Sequence, residues 1–304
     1  MSLHLPDHIR VLERGWLSSN NIVFLDADTA DVVDTGYVTH AAETLRLIDE
    51  ALAGRTLQRI VNTHIHSDHA GGNAQLQARH GCSIWIPHGE ADAVATWDET
   101  RLSYQVTSQQ CPRFAYDGLI HPHDTLHLGG HEWLALPAPG HDHAMVMLWC
   151  EAQGILISAD ALWQKGFGVI FPELAGIPGF AAQKATLDLI AQLQPRLVIP
   201  GHGAPFTDVD AALLAAQSRI QWLSDLPQRN SDNALKVLLA FKLLEAQCLS
   251  LAELTDMVCT TLQGNPTMRL HYPQAPQATA ALVAEQLVRS GVATRQGDAL
   301  YAAI

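Results

Sequence analysis

Ten consecutive residues, Thr63-His64-Ile65-His66-Ser67-Asp68-His69-Ala70-Gly71-Gly72, set three imidazoles and a carboxylate into six positions directly after an apolar run. Imidazole nitrogen and carboxylate oxygen are ligands that first-row divalent metals prefer, and alternating spacing in a loop lets several side chains converge on one point. The stretch predicts a metal-binding loop at a strand end. Such a site needs further ligands, and three later positions share one grammar: an apolar strand, a break of Pro-Gly or small residues, then His141, Asp160 or His202. A lone histidine after a strand is usually structural, but four strand ends carrying His and Asp together are hard to explain as packing. His121-Pro122-His123-Asp124 looks superficially similar; proline separates its histidines and no partner cluster accompanies it, so no metal role is expected there.

The elements that must hold these residues alternate between strand and helix, with polar chemistry where strands stop. Asn21 to Leu25 and Ala30 to Val33 read as a hairpin around Asp26-Ala27-Asp28-Thr29. Thr39 is placed to cap a helix through Leu45, Ile48 and Leu52, with Gly54 just past its end. Arg59 to Asn62 is the strand feeding the metal loop, followed by a helix Asn73 to His80 and a strand Ser83 to Ile86. Residues 89–118 are less regular, with a helical piece around Ala91 to Trp97, and are a candidate active-site flap. Strands Leu126 to Leu128, Glu132 to Leu136, Met145 to Trp149, Ile155 to Ser158 and Arg196 to Ile199 follow, with helices Phe180 to Leu193 and Val209 to Leu226. The polar stretch Pro227-Gln228-Arg229-Asn230-Ser231-Asp232-Asn233 is the best linker, dividing a catalytic domain at 1–226 from a second domain at 227–304. That second part predicts three helices (Ala234 to Gln247; one opened by a Ser250/Glu253 capping box; Ala278 to Ser290) and a terminal hairpin, a winged-helix pattern.

Length and composition agree with this division. With 304 residues, 48% apolar and 16% charged, the chain is an ordinary globular protein large enough for two domains. The five cysteines are odd in number and widely spaced, which predicts reduced core residues and no disulfide framework. The first residues lack an apolar signal region and no run is long enough to span a membrane, so a cytoplasmic protein without membrane partners is expected. The net charge of −13 argues against nucleic acid as partner. From Gln228 onward six basic residues meet six acidic ones, leaving 12 basic against 25 acidic upstream, and the would-be recognition helix offers only Arg289 beside Glu285.

The motifs Thr63 to His69, Pro139-Gly140-His141, Asp160 and Pro200-Gly201-His202-Gly203 resemble those of the metallo-β-lactamase superfamily, over about residues 10 to 226. The resemblance implies an α/β (α+β) fold, a four-layer αββα sandwich with a two-metal site at one edge, followed here by the small winged helix. It implies that His64, His66 and His141 hold one metal, Asp68, His69 and His202 the second, and that Asp160 bridges both. Asp34 is then a support behind the ligands. Two divalent ions, Zn first and Mn or Fe as alternatives, would generate a bridging hydroxide as nucleophile, with Asp68 orienting the water or relaying its proton. Zinc β-lactamases of the family commonly carry cysteine where this chain has Asp160, so antibiotic hydrolysis is disfavoured. The pattern is closer to the thioesterase, lactonase and phosphodiesterase branches, glyoxalase II among them; the two-domain layout also resembles β-lactamase-like-2 type proteins. A dinuclear hydrolase of a small thioester or lactone is therefore expected, the alternatives being phosphodiester cleavage of RNA or a nucleotide and a non-hydrolytic di-iron redox protein. A homodimer is possible. Trp163 and Phe167 are candidates for an apolar substrate wall, with Lys165 reaching an anionic group.

Overall fold

The computed structural model describes residues 5–303. Six strands, β1 (Ile9–Leu12), β2 (Asn21–Leu25), β3 (Thr29–Val33), β4 (Thr56–Val61), β5 (Ser83–Pro87) and β6 (Gly118–Ile120), form one sheet in that order. Its first three strands run antiparallel and β3 to β6 are parallel. Five more, β7 (Thr125–Leu128), β8 (His131–Pro137), β9 (Val146–Cys150), β10 (Ile155–Ala159) and β11 (Leu197–Pro200), form a second sheet in the order β11-β10-β9-β8-β7, antiparallel except for the β10–β11 pair.

Period-two alternation tells each strand which layer it feeds. In β4, Val61 enters a core between the two sheets with Phe24, Trp133, Leu148 and Ile199, while its neighbour Ile60 faces the opposite way. There Ile60, Val32 and Ile84 meet Ile48, Leu52 and Leu76 from the helices Ala41–Leu52 and Asn73–His80. On the far side Leu187, Ile190, Leu213 and Ile220, from the helices Phe180–Leu193 and Val209–Asp225, cover Met147, Leu156 and Val198. Three cores separating helix, sheet, sheet and helix make the αββα sandwich. The strands β2, β9, β10 and β11 are buried throughout, which explains their continuous apolar sequence.

Several local expectations are corrected. Thr39 does not cap the first long helix, because Val38–His40 form a 3₁₀ turn that places it inside the chain's entry; at the other end Gly54 lies just past the helix as expected, at φ 87°, after Ala53 in the left-handed C-cap position. The polar stretch at 227–233 is not a linker loop: it begins the helix Gln228–Ala246, with Asn230 and Ser231 buried. Part of the polarity there, at Asn230 and Ser231, serves buried hydrogen bonds, while Gln228 and Asp232 are exposed. The Pro-rich region contains the helix Pro266–His271, with proline in its first turn where no N–H is needed, so four helices follow Pro227. They pack with β12 (Cys248–Ser250), β13 (Ala293–Gln296) and β14 (Ala299–Ala302), a three-stranded sheet ordered β12-β14-β13. The Ser250–Glu253 capping box forms as expected. Val169 and Leu174 from upstream enter the same core, so this part is packed onto the sandwich. Cys82, Cys111 and Cys150 are buried as expected, but Cys248 is exposed on β12. Among the described residues no helix is long and apolar enough to cross a membrane.

Candidate metal centre

The edge where β3, β4, β8, β10 and β11 end collects the predicted residues. Asp34 follows β3 in the left-handed region at φ 57°, a conformation that Asp tolerates better than most residues. Its carboxylate accepts the Thr63 backbone N–H at 2.9 Å, the Thr63 hydroxyl at 2.8 Å and the His69 Nδ1–H at 2.7 Å. The loop after β4 is thereby tied to the end of β3, and His69 must present Nε2 inward. The backbone carbonyl of His69 is held as well, by Thr35 N–H at 2.7 Å and Asn62 Nδ2 at 3.3 Å.

The other imidazoles are oriented by the same device. His141 donates Nδ1–H to the Val169 carbonyl at 2.7 Å, and His64 Nδ1 lies 3.1 Å from the Thr63 hydroxyl, which already donates to Asp34 and so accepts. His66 is turned the other way: its Nδ1 lies 3.1 Å from His64 Nε2 and 2.8 Å from His141 Nε2. These three nitrogens form one set of donors. Asp68, His69 and His202 form another, with Asp68 Oδ2 at 3.1 Å from His202 Nε2 and 4.0 Å from His69 Nε2. Asp160 stands between the sets. Its Oδ2 is 3.4 Å from His141 Nε2, and its Oδ1 is 3.5 Å from His69 Nε2 and 3.8 Å from His202 Nε2. Gly201 makes this approach possible, because a Cβ there would collide with Asp160 Oδ1.

The donor chemistry fits cations. Ligand atoms about 2.1 Å from a tetrahedral ion lie about 3.4 Å apart, in the middle of the spread just given. His69 Nε2 is fully buried and, among the described residues, has no hydrogen-bond partner, as suits a nitrogen held for a cation. Burial, reinforced by the neighbouring histidines, drives His64 well below the ordinary histidine range, and burial with His141 pushes His66 down to about 4, so both present lone pairs. For His69 burial acts downward too, but the carboxylates of Asp34, Asp160 and Asp68 outweigh it and raise the pKa well above the ordinary value. Burial opposes ionisation of Asp68, yet His69 and His202 hold it down at about 2; Asp160 is likewise held well below the carboxylate range by His202 and His69.

All seven predicted ligands thus meet at one place. The flanking expectations divide. Trp163 is beside the cluster, its Nε1–H donating to Asp160 Oδ1 at 3.2 Å and its ring 5.4 Å from that of His202. Phe167 is not a substrate wall: it is wholly buried in the outer core, with the Arg219 guanidinium over its ring. Lys165 is exposed and forms no ion pair among the described residues. His121 to Asp124 form a tight turn, in which Asp124 accepts the His121 N–H and His123 has φ 71°. Three groups escaped sequence reasoning. Phe171 packs edge-on against His66 and His141, with centroids at 5.1 and 5.5 Å. Asn230 clasps the backbone of Ile170. Glu90, Asp142 and His143 make another cluster beside His66; the Asp142-His143 pair directly follows a predicted ligand, which was the available signal.

Comparison with known proteins agrees with this geometry. The sequence profile of the metallo-beta-lactamase superfamily matches residues 14–202, more than half of the chain. Curated relatives include hydroxyacylglutathione hydrolases from Hyphomonas neptunium, 30% identical over 38% of this chain and 38% of that protein, and from Rhodospirillum rubrum, 30% identical over 44% and 45%. The match therefore spans less than half of those relatives' length. Among solved structures, a metallo-beta-lactamase family protein from Thermus thermophilus superposes over 98% of this chain and 100% of its own, with TM-score 0.59 and 17% identity. A beta-lactamase domain protein from Burkholderia ambifaria does so over 99% and 94%, with TM-score 0.59 and 21% identity. By the profile match, the chain belongs to the metallo-beta-lactamase superfamily.

Proposed function

We propose that the chain is a hydrolase that binds two divalent cations and cleaves a small ester-like substrate, a thioester or lactone. The observation that carries this reading is Asp160 spanning two complete donor sets, with His64, His66 and His141 on one side and Asp68, His69 and His202 on the other. Histidine and carboxylate donors suit zinc, with manganese and iron as alternatives. Two cations bound there would supply the charge that brings the pKa of a water towards neutrality and polarises a substrate carbonyl.

The chain's own groups do the rest. Asp68 stays ionised, with Oδ2 facing His202, so its other carboxylate oxygen is left to orient an attacking water or take up its proton. Asp34, Thr63 and the Val169 carbonyl fix the imidazoles before substrate arrives, which avoids reorganisation during reaction. Phe171 shields one flank, while Trp163 and the exposed Trp16, whose ring lies 6.4 Å from that of His202, border the other. The relatives' name supports an acylated thiol as substrate. We assign residues 1–226 as the catalytic domain and 227–304 as a winged-helix-like domain, supported by its three-stranded sheet and by a core built mainly from its own residues, which Val169 and Leu174 also enter. Its helix Pro276–Arg289 pairs Arg289 with Glu285 at 3.2 Å, leaving no surplus charge for phosphate contact.

The test is metal analysis of the purified protein, followed by assay of zinc-loaded enzyme on thioesters, lactones, bis(p-nitrophenyl) phosphate and single-stranded RNA. Two equivalents of metal with thioester or lactone turnover are expected. Metal-dependent RNA cleavage without either activity would overturn the reading.

A further inference from the structure

A cavity of about 290 Å³ opens beside the cluster, lined by His66, Glu90, Arg101, Leu102, Phe171 and Asn265 among others. Its walls come from the metal loop, the 89–118 segment, the chain after β10 and the C-terminal part, so these regions meet where a substrate extending from the metals would lie. Most of the wall is apolar, which makes its charged groups the selective feature.

Glu90 is the uncommitted acid. It is only 4% exposed, yet its carboxylate accepts no hydrogen bond from the described residues; the nearest cationic atom is His143 Nδ1, at 4.0 Å from Oε1. Gly89 lets the chain deliver it there, because a Cβ at that position would press on Ala144. Asp142 is already engaged: Oδ1 accepts the Ala144 N–H at 2.8 Å, and Oδ2 lies 3.6 Å from His143 Nδ1 and 3.8 Å from His66 Nε2. Arg101 is the uncommitted base, exposed on the same wall, its guanidinium forming no ion pair among the described residues. Burial, then the Asp142 carboxylate, push the Glu90 carboxyl up to about 8, a strain that an incoming cation would relieve.

We propose that this cavity is a subsite for the zwitterionic head of an α-amino acid, Glu90 receiving the ammonium and Arg101 the carboxylate. Charge and size select this occupant. A buried carboxyl group that an ammonium would draw into its ionised form, and a guanidinium that does not pair with it, match opposite charges on one ligand, and the apolar walls accept its side chain. A bare divalent cation would use Glu90, Asp142 and His143 but would leave Arg101 and the apolar volume unused. The inference rests on the hydrolase reading for its meaning: the substrate would be a thioester or lactone bearing such a head.

The test is calorimetric titration of the full chain with norleucine, N-acetylnorleucine and norleucine amide, in zinc-loaded and metal-stripped protein. Norleucine is expected to bind in both forms, and blocking either charge should weaken it by about tenfold or more. Glu90→Gln should remove discrimination against the N-acetyl compound. Arg101→Gln, an exposed change that leaves the interior intact, should remove discrimination against the amide. Equal binding of all three ligands, loss of binding on metal removal, or unchanged selectivity in Arg101→Gln would overturn the subsite. So would a third zinc equivalent in wild type that Glu90→Gln abolishes. Selective norleucine binding by a protein inactive on every ester would keep the subsite and remove the hydrolase reading; turnover without that selectivity would do the reverse.

Discussion

The carboxylate of Asp34 and the Nδ1 of His69, 35 positions apart in sequence, meet at 2.7 Å in the interior. Because Asp34 also holds Thr63 through two hydrogen bonds, one side chain sets both the entry of the metal loop and the direction of its last histidine. Asp34→Asn retains an acceptor and tolerates the left-handed backbone, so it tests the charge and not the turn. It is expected to lower metal affinity by roughly 10–100-fold, as outer hydrogen-bond partners of ligating histidines do. Competition titration with a chromogenic chelator checks this; unchanged affinity would deprive Asp34 of its supporting role.

Asp68→Ala removes the one carboxylate of the metal loop. Turnover on the best substrate of the panel should vanish while the fold, followed by circular dichroism, is retained. An active variant with full metal content would refute a proton-handling role for Asp68.

His66 and His69 make opposite demands on pH. His66 is held at about 4 in the folded protein against an ordinary value near 6.5. Between those values the unfolded chain binds the extra proton, so the stability that His66 contributes is present above 6.5 and lost as pH falls towards 4. His69 is raised, so its contribution is full below the ordinary value and declines as pH rises through its folded pKa. A cation at Nε2 must therefore compete with a proton that the surrounding carboxylates favour there. Metal loading is expected to release protons and to strengthen as pH rises. Denaturant titrations of metal-free protein from pH 7 to 4 should show a falling midpoint, and zinc titrations in two buffers of different ionisation enthalpy count the protons released.

What could be read beforehand was set by range. The ligands were legible because four of them share one loop with local HxHxDH spacing and the other three each follow their own strand end. The sandwich was legible because buried strands such as β9 and β11 are apolar throughout, and helices such as Phe180–Leu193 carry an apolar face. Residues whose meaning comes from distant partners were not. Phe167 follows Asp160 closely enough to suggest a substrate wall, but its burial is decided by Arg219 and the outer helices. Glu90 acquires its character only when the loop after β8 brings Asp142 and His143 to it. Polarity at 227–233 is a loop signal in isolation, and only the fold supplies the backbone that Asn230 satisfies.

Asn230 links the C-terminal part to the metal centre without touching a ligand. Its Nδ2 donates to the Ile170 carbonyl at 2.8 Å and its Oδ1 accepts the Ile170 N–H at 3.3 Å. On either side of Ile170, Val169 offers the carbonyl that orients His141, and Phe171 packs on His66 and His141. Asn230→Ala leaves both backbone groups of Ile170 buried and unpaired, which is expected to lower stability by about 1–3 kcal/mol. The loss should extend to metal affinity, because the strand of chain that steers His141 is released. Asp232→Ala is the control: its side chain accepts only the Tyr272 hydroxyl at 2.6 Å, within the C-terminal part. If Asn230→Ala weakens zinc binding and Asp232→Ala does not, the first helix after Pro227 is a structural support of the centre. Equal zinc affinity in both variants, measured below their melting temperatures, would show instead that the clasp stabilises the fold alone.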